Sequence, residues 1–116
     1  MKLGAVHGEL SPEEWLERFQ RAAEASMRSQ FTTEEDRGTL RELALDTRED
    51  GVWATVSFSM ASHPGITFIR SQRIMPDLSA EEDPDFAAML LGTHVIEWFY
   101  TEAKRKTPDA DGIIRN

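Results

Sequence analysis

Val52-Trp53-Ala54-Thr55-Val56-Ser57-Phe58-Ser59-Met60 is the most regular stretch of the chain. Val52, Ala54, Val56, Phe58 and Met60 fall on one side of an extended backbone, and Trp53, Thr55, Ser57 and Ser59 fall on the other. Period-two alternation in β-branched and aromatic residues marks a strand with one buried face. Upstream, Thr47-Arg48-Glu49-Asp50-Gly51 supplies a turn, its Asp-Gly pair suited to positive φ, and before it Leu43 and Leu45 alternate with Ala44 and Asp46. Downstream, Ser62-His63-Pro64-Gly65 is a second turn, and Ile66 to Arg70 begins a third strand. Three strands with short links predict an antiparallel meander.

A helix is expected on either side of that meander. Ser11 is a good N-cap, Pro12 suits the first helical position, and Glu14 completes a Ser-x-x-Glu capping box. From Ser11 to about Ser29, Trp15, Phe19, Ala22, Ala23, Ser26 and Met27 share one face, while Glu17, Arg21, Glu24 and Arg28 lie opposite. Thr32 to Gly38 reads as a loop. The second helix is expected from about Pro84 to Lys106. It is apolar over most of its circumference, with only Thr93, His94, Glu97, Thr101 and Lys104 forming a polar stripe. Such a helix needs cover on more than one side. One sheet and one other helix leave the surface around Leu91, Val95 and Trp98 without an obvious cover, which points to a subunit or partner interface there.

These elements predict an α+β fold: a two-layer α-β-β-β-α arrangement with both helices on one face of a three-stranded antiparallel meander. Residues 11–106 form the single domain. Residues 1–10 are an arm or an edge strand around Leu3 to Val6, and 107–116 are a flexible C-terminal tail.

The 116 residues carry 13 bases and 21 acids, for a formal charge of −8, and no cysteine. Disulfide scaffolds, thiol nucleophiles and thiolate zinc sites are thereby excluded. No apolar run approaches the roughly 20 residues of a membrane span, and the N-terminus has no signal-like apolar core. The expected compartment is the cytoplasm. The acids come in blocks: seven between residues 31 and 51 and five between 77 and 85, with none from 52 to 76. An acidic surface repels phosphate backbones and favours solubility or a basic partner.

No phosphate-cradling loop, dinucleotide fingerprint, nucleophile elbow or His-Glu-x-x-His pair is present. His94 and Glu97 lie three apart, but two ligands do not make a metal site. Asp109-x-Asp111-Gly112 copies a fragment of a calcium loop without its remaining ligands. Neither a cofactor, a metal nor catalytic activity is expected. On the outer sheet face, Trp53 and Ile69 stand among hydroxyls as a second contact patch. Arg70, Arg73, Lys104, Arg105 and Lys106 are the residues that could grip an anion or nucleic acid.

The order helix, meander, helix in a small acidic chain resembles the YbaB-type nucleoid-associated family over roughly residues 11–106. Asp50-Gly51-Val52 leads into the alternating strand, and Ile74-Met75-Pro76-Asp77-Leu78 precedes the last helix. That resemblance implies a DNA-binding dimer. In size, charge and helix–strand content the chain is also similar to acidic dimeric secretion chaperones. The residues themselves favour a non-enzymatic protein-interaction module of adaptor, chaperone or inhibitor type, a homodimer acting through apolar contacts at Leu91, Val95, Trp98, Trp53 and Ile69. The alternatives are the nucleoid-associated reading and a small-molecule site between helices and sheet near His94, Glu97 and Tyr100.

Overall fold

The computed structural model describes residues 10–33, 36–75 and 83–116. The arm or edge strand expected at residues 1–10 lies almost wholly outside them. Helix α1 spans Pro12–Thr33, and strands β1, β2 and β3 span Gly38–Arg48, Gly51–Met60 and Thr67–Met75. Helix α2 spans Pro84–Thr101, a short 3-10 turn covers Ala103–Arg105, and β4 spans Ile113–Arg115.

The expected capping box closes the start of α1. The Ser11 hydroxyl accepts from the Glu14 backbone N–H at 3.1 Å, and the Ser11 N–H donates to Glu14 Oε1 at 3.0 Å. That pairing holds the Glu14 carboxyl below the usual carboxylate range, chiefly through the Ser11 backbone N–H. The helix runs about one turn beyond its expected end. Phe31 continues the i, i+4 stripe from Met27 into the core and stacks on Phe58 with ring centroids 5.2 Å apart, so burial of one ring outweighs the polar residues around it. At α2, the Asp83 side chain accepts from the Asp85 N–H at 3.0 Å, and Pro84 begins the first turn.

The sheet order is β1-β2-β3-β4. β1, β2 and β3 pair antiparallel, whereas β3 and β4 pair parallel through Thr67 with Ile113 and Phe68 with Ile114. The α+β class therefore holds, but among the described residues the three-stranded meander is part of a four-stranded mixed sheet. The fourth strand comes from the segment expected to be a flexible tail. Its anchor is Ile114, which is buried, and Asp109, whose carboxylate accepts from the backbone N–H groups of Asp111 and Ile113 and pairs with Arg115 at 3.0 Å. An isolated three-residue strand carries too little periodicity to be recognised in sequence. The second helix is also shorter than expected. At Glu102 the backbone leaves helical geometry, and the following turn buries Ala103.

Both helices cover one sheet face, and the core lies between them and it. Phe58 sits at its centre, meeting Phe31 on α1, Phe68 on β3, and Trp98 and Phe99 on α2 at 5.2 to 6.3 Å between ring centroids. The alternation of β2 is borne out: Val52, Ala54, Val56, Phe58 and Met60 are buried, and the residues between them are partly exposed. The helices cross closely at Gly92, where an added Cβ would stand 3.2 Å from Met27 Cγ. An exposed Arg18–Asp85 ion pair at 3.0 Å links the same two helices.

Candidate functional site

On α2, Leu91, Val95 and Trp98 are 1%, 0% and 4% exposed. The face expected to await a partner is thus covered by α1 and the sheet. Trp98 sits edge-on to Phe58 and Phe68, and Val95 and Leu91 join the same core. The surplus apolar surface lies farther round the helix. Phe86, Met89 and Leu90 are 55%, 45% and 37% exposed, large side chains at i, i+3 and i+4 that form one stripe on the first two turns. The sequence does not tell which side the sheet takes, because an almost uniformly apolar helix carries no rotational preference of its own.

The outer sheet face keeps its expected composition, but Trp53 and Ile69 do not meet. Trp53 pairs with Arg73 and Ser57 with Ile69, and the Thr55–Ser71 pair separates them with its hydroxyls 2.9 Å apart. Trp53 is held locally instead. Its indole N–H donates to Asp50 Oδ1 at 2.9 Å, and the Arg48 guanidinium lies 4.6 Å from the ring centre.

The basic candidates divide between two faces. Arg73 is on the outer face and donates to the Asp50 carbonyl at 3.2 Å. Arg70, paired across the ladder with Val56, faces the helices, where it bonds Gln72 at 2.9 Å and lies 5.7 Å from the Trp98 ring centre. Lys106 approaches the same ring at 6.0 Å while donating to the Arg115 carbonyl at 2.9 Å. Lys104 lies over Tyr100 at 5.4 Å, and Arg105 stands exposed in the 3-10 turn between them. Arg70 and Lys106 therefore converge on Trp98, and Arg73 is not part of that group.

Beside Trp98 is a hollow of about 250 Å³ lined by Arg70, His94, Glu97, Thr101 and Glu102. His94 Nδ1 is 3.2 Å from Gln72 Nε2. The Trp98 indole N–H is buried and has no hydrogen-bond partner among the described residues, a costly state for a buried donor. Among the described residues, no group of three His, Asp or Glu side chains is placed to hold a metal ion. Nor is any helix there long and apolar enough to cross a membrane.

One polar string has nucleophile chemistry to consider. The Asp36 carboxylate contacts the Ser62 hydroxyl, which lies 2.7 Å from His63 Nδ1, and His63 Nε2 is 3.4 Å from the Lys104 carbonyl. An activated serine needs histidine between it and the carboxylate. Here serine occupies the middle position, so the string ties the β2–β3 turn to the segment after α2. No protein-family model matches the chain, and no curated protein or solved structure matches it.

Proposed function

We propose that the chain is a non-enzymatic interaction module that pairs with a second copy of itself through the exposed stripe of α2. The observation that carries this reading is the exposure of Phe86, Met89 and Leu90 side by side on one helix. Apolar clusters of this kind are the usual anchors of helix-mediated association. The stripe also has the charge profile that self-association of an acidic molecule requires. No residue from Phe86 to Thr93 carries a formal charge, whereas the whole chain carries −8. Two copies meeting there avoid opposing like charges, which cost several kcal/mol at an interface.

The proposed interface uses Phe86, Met89 and Leu90 of α2, in place of Leu91, Val95 and Trp98, which were expected to form it and are buried. Trp53 and Ile69 remain as separate contact points on the outer sheet face, available to a further protein partner. The division of the basic residues between two faces argues against the nucleoid-associated alternative, which needs one continuous positive surface.

Light-scattering mass on a sizing column, over about a hundredfold range of concentration, tests the proposal. The expected mass is about 26 kDa, twice the 13.2 kDa of the chain. The double substitution Met89→Glu, Leu90→Glu should return it to the monomer value with its circular dichroism unchanged. A wild-type mass of one chain at every concentration overturns the reading.

A further inference from the structure

We infer a second site, for a small phosphorylated organic molecule, in the cavity where the start of β1 meets the β2–β3 turn. The cavity holds about 530 Å³, within the range of small-ligand sites, and lies on the sheet edge away from the α2 stripe. Arg37, Arg41 and the hydroxyl-bearing residues Thr39, Ser59 and Thr67 are among those that line it. The backbone brings these groups together. The Ala61 N–H donates to the Arg37 carbonyl at 2.8 Å, and Thr39 pairs with Ser59 across the β1–β2 ladder. Between inward-facing Leu40 and Leu43, β1 has a bulge in which Arg41 is the residue without a cross-strand partner. Bulges commonly re-aim a side chain beside a site.

The electrostatics point to an anion. Arg18, Arg28, Arg48 and Arg115 each form an ion pair with a carboxylate. Arg37 and Arg41 lie in an acid-rich stretch of the chain, yet neither side chain bonds or pairs with any described residue. Among the described residues, Asp36 and Glu42 do not line the cavity, and the carboxylate of Asp36 is taken by the Ser62 N–H and hydroxyl. Two guanidinium forks and three free hydroxyls offer many donors, which suits the three acceptor oxygens and near-double charge of a phosphate monoester. The cavity is larger than a phosphate, and Pro64 and Ile66 in its lining offer apolar surface for an organic group.

Titration of the full chain with glucose 6-phosphate, followed by amide and arginine side-chain NMR shifts, tests this inference. Saturable shifts are expected at Arg37, Arg41, Thr39, Ser59 and Thr67. Inorganic phosphate should bind more weakly, and glucose should produce no shift. Arg37→Gln and Arg41→Gln, both at exposed positions, should each weaken binding roughly tenfold while leaving the remaining spectrum in place. The inference is overturned by any of three results: no saturable shift at millimolar glucose 6-phosphate, equal binding of inorganic phosphate, or binding that the two substitutions leave unchanged. None of these residues belongs to the α2 stripe, so its outcome is independent of the self-association test.

Discussion

Replacing Trp98 by phenylalanine should cost little stability, although Trp98 is a buried core residue. The indole is 4% exposed, and its ring meets Phe58 at 6.1 Å and Phe68 at 6.4 Å, both edge-on. A phenyl ring on the same Cβ takes the place of the indole's five-membered ring and leaves the outer part of the benzo ring unfilled, worth roughly 2 kcal/mol of transfer free energy. The substitution also deletes the buried N–H that has no acceptor among the described residues. Relief of an unsatisfied buried donor returns about 1–3 kcal/mol. The two effects nearly cancel, so Trp98→Phe should lie within about 1 kcal/mol of wild type. Trp98→Ala keeps the relief but empties the space, and should cost about 3 kcal/mol or more. Urea unfolding at one fixed protein concentration measures both, since self-association would otherwise shift the midpoints. A cost above about 3 kcal/mol for Trp98→Phe would refute the cancellation. The indole N–H would then have an acceptor in solution, and the hollow beside Arg70 and His94 would be its place.

Two further perturbations test the parts of the fold that carry the sites. Asp109 has its carboxyl held below the usual range, first by the Ile113 N–H and then by the Asp111 N–H and Arg115. Its stabilising effect is therefore present above the ordinary carboxylate pKa and lost as the pH falls through the lower folded value. Acidification into that window, or Asp109→Ala at neutral pH, should speed amide exchange at Ile114 and Arg115 before it affects β2; equal exchange in both strands would contradict this anchoring role. At the helix crossing, an added Cβ on Gly92 would stand 2.5 Å from Gln30 Nε2, which donates to Ser26 Oγ at 2.9 Å, and 3.2 Å from Met27. Gly92→Ala should be nearly neutral in thermal unfolding, because displacing the Gln30 amide from Ser26 costs about 1 kcal/mol and alanine favours the helix by about the same amount. Gly92→Val should cost about 2 kcal/mol; equal melting temperatures would mean the helices separate more easily than their packing implies.

Local chemistry made much of the architecture legible. The capping box at Ser11 and Glu14, the Asp50-Gly51 turn and the alternation from Val52 to Met60 each depend on neighbours a few residues apart. Such signals survive in a one-dimensional reading because their geometry is set by backbone period and hydrogen bonding within one element. They determined the α+β class, the two helices, the antiparallel run of three strands and the inward face of β2.

Tertiary structure decided everything that depended on which surfaces meet. Helix α2 is apolar nearly all round, so only the positions of α1 and the sheet determine that Leu91, Val95 and Trp98 are covered while Phe86, Met89 and Leu90 are exposed. Strand β4 is three residues long and exists through its pairing with β3 and the Asp109 anchor, neither of which has a sequence period. Arg37 and Arg41 look in sequence like ordinary members of an acid-rich, mixed-charge segment. Their shared cavity comes from a bulge and from a turn more than twenty residues away. Burial and charge pairing are long-range properties of the folded chain, and for that reason the candidate sites were less legible than the elements that carry them.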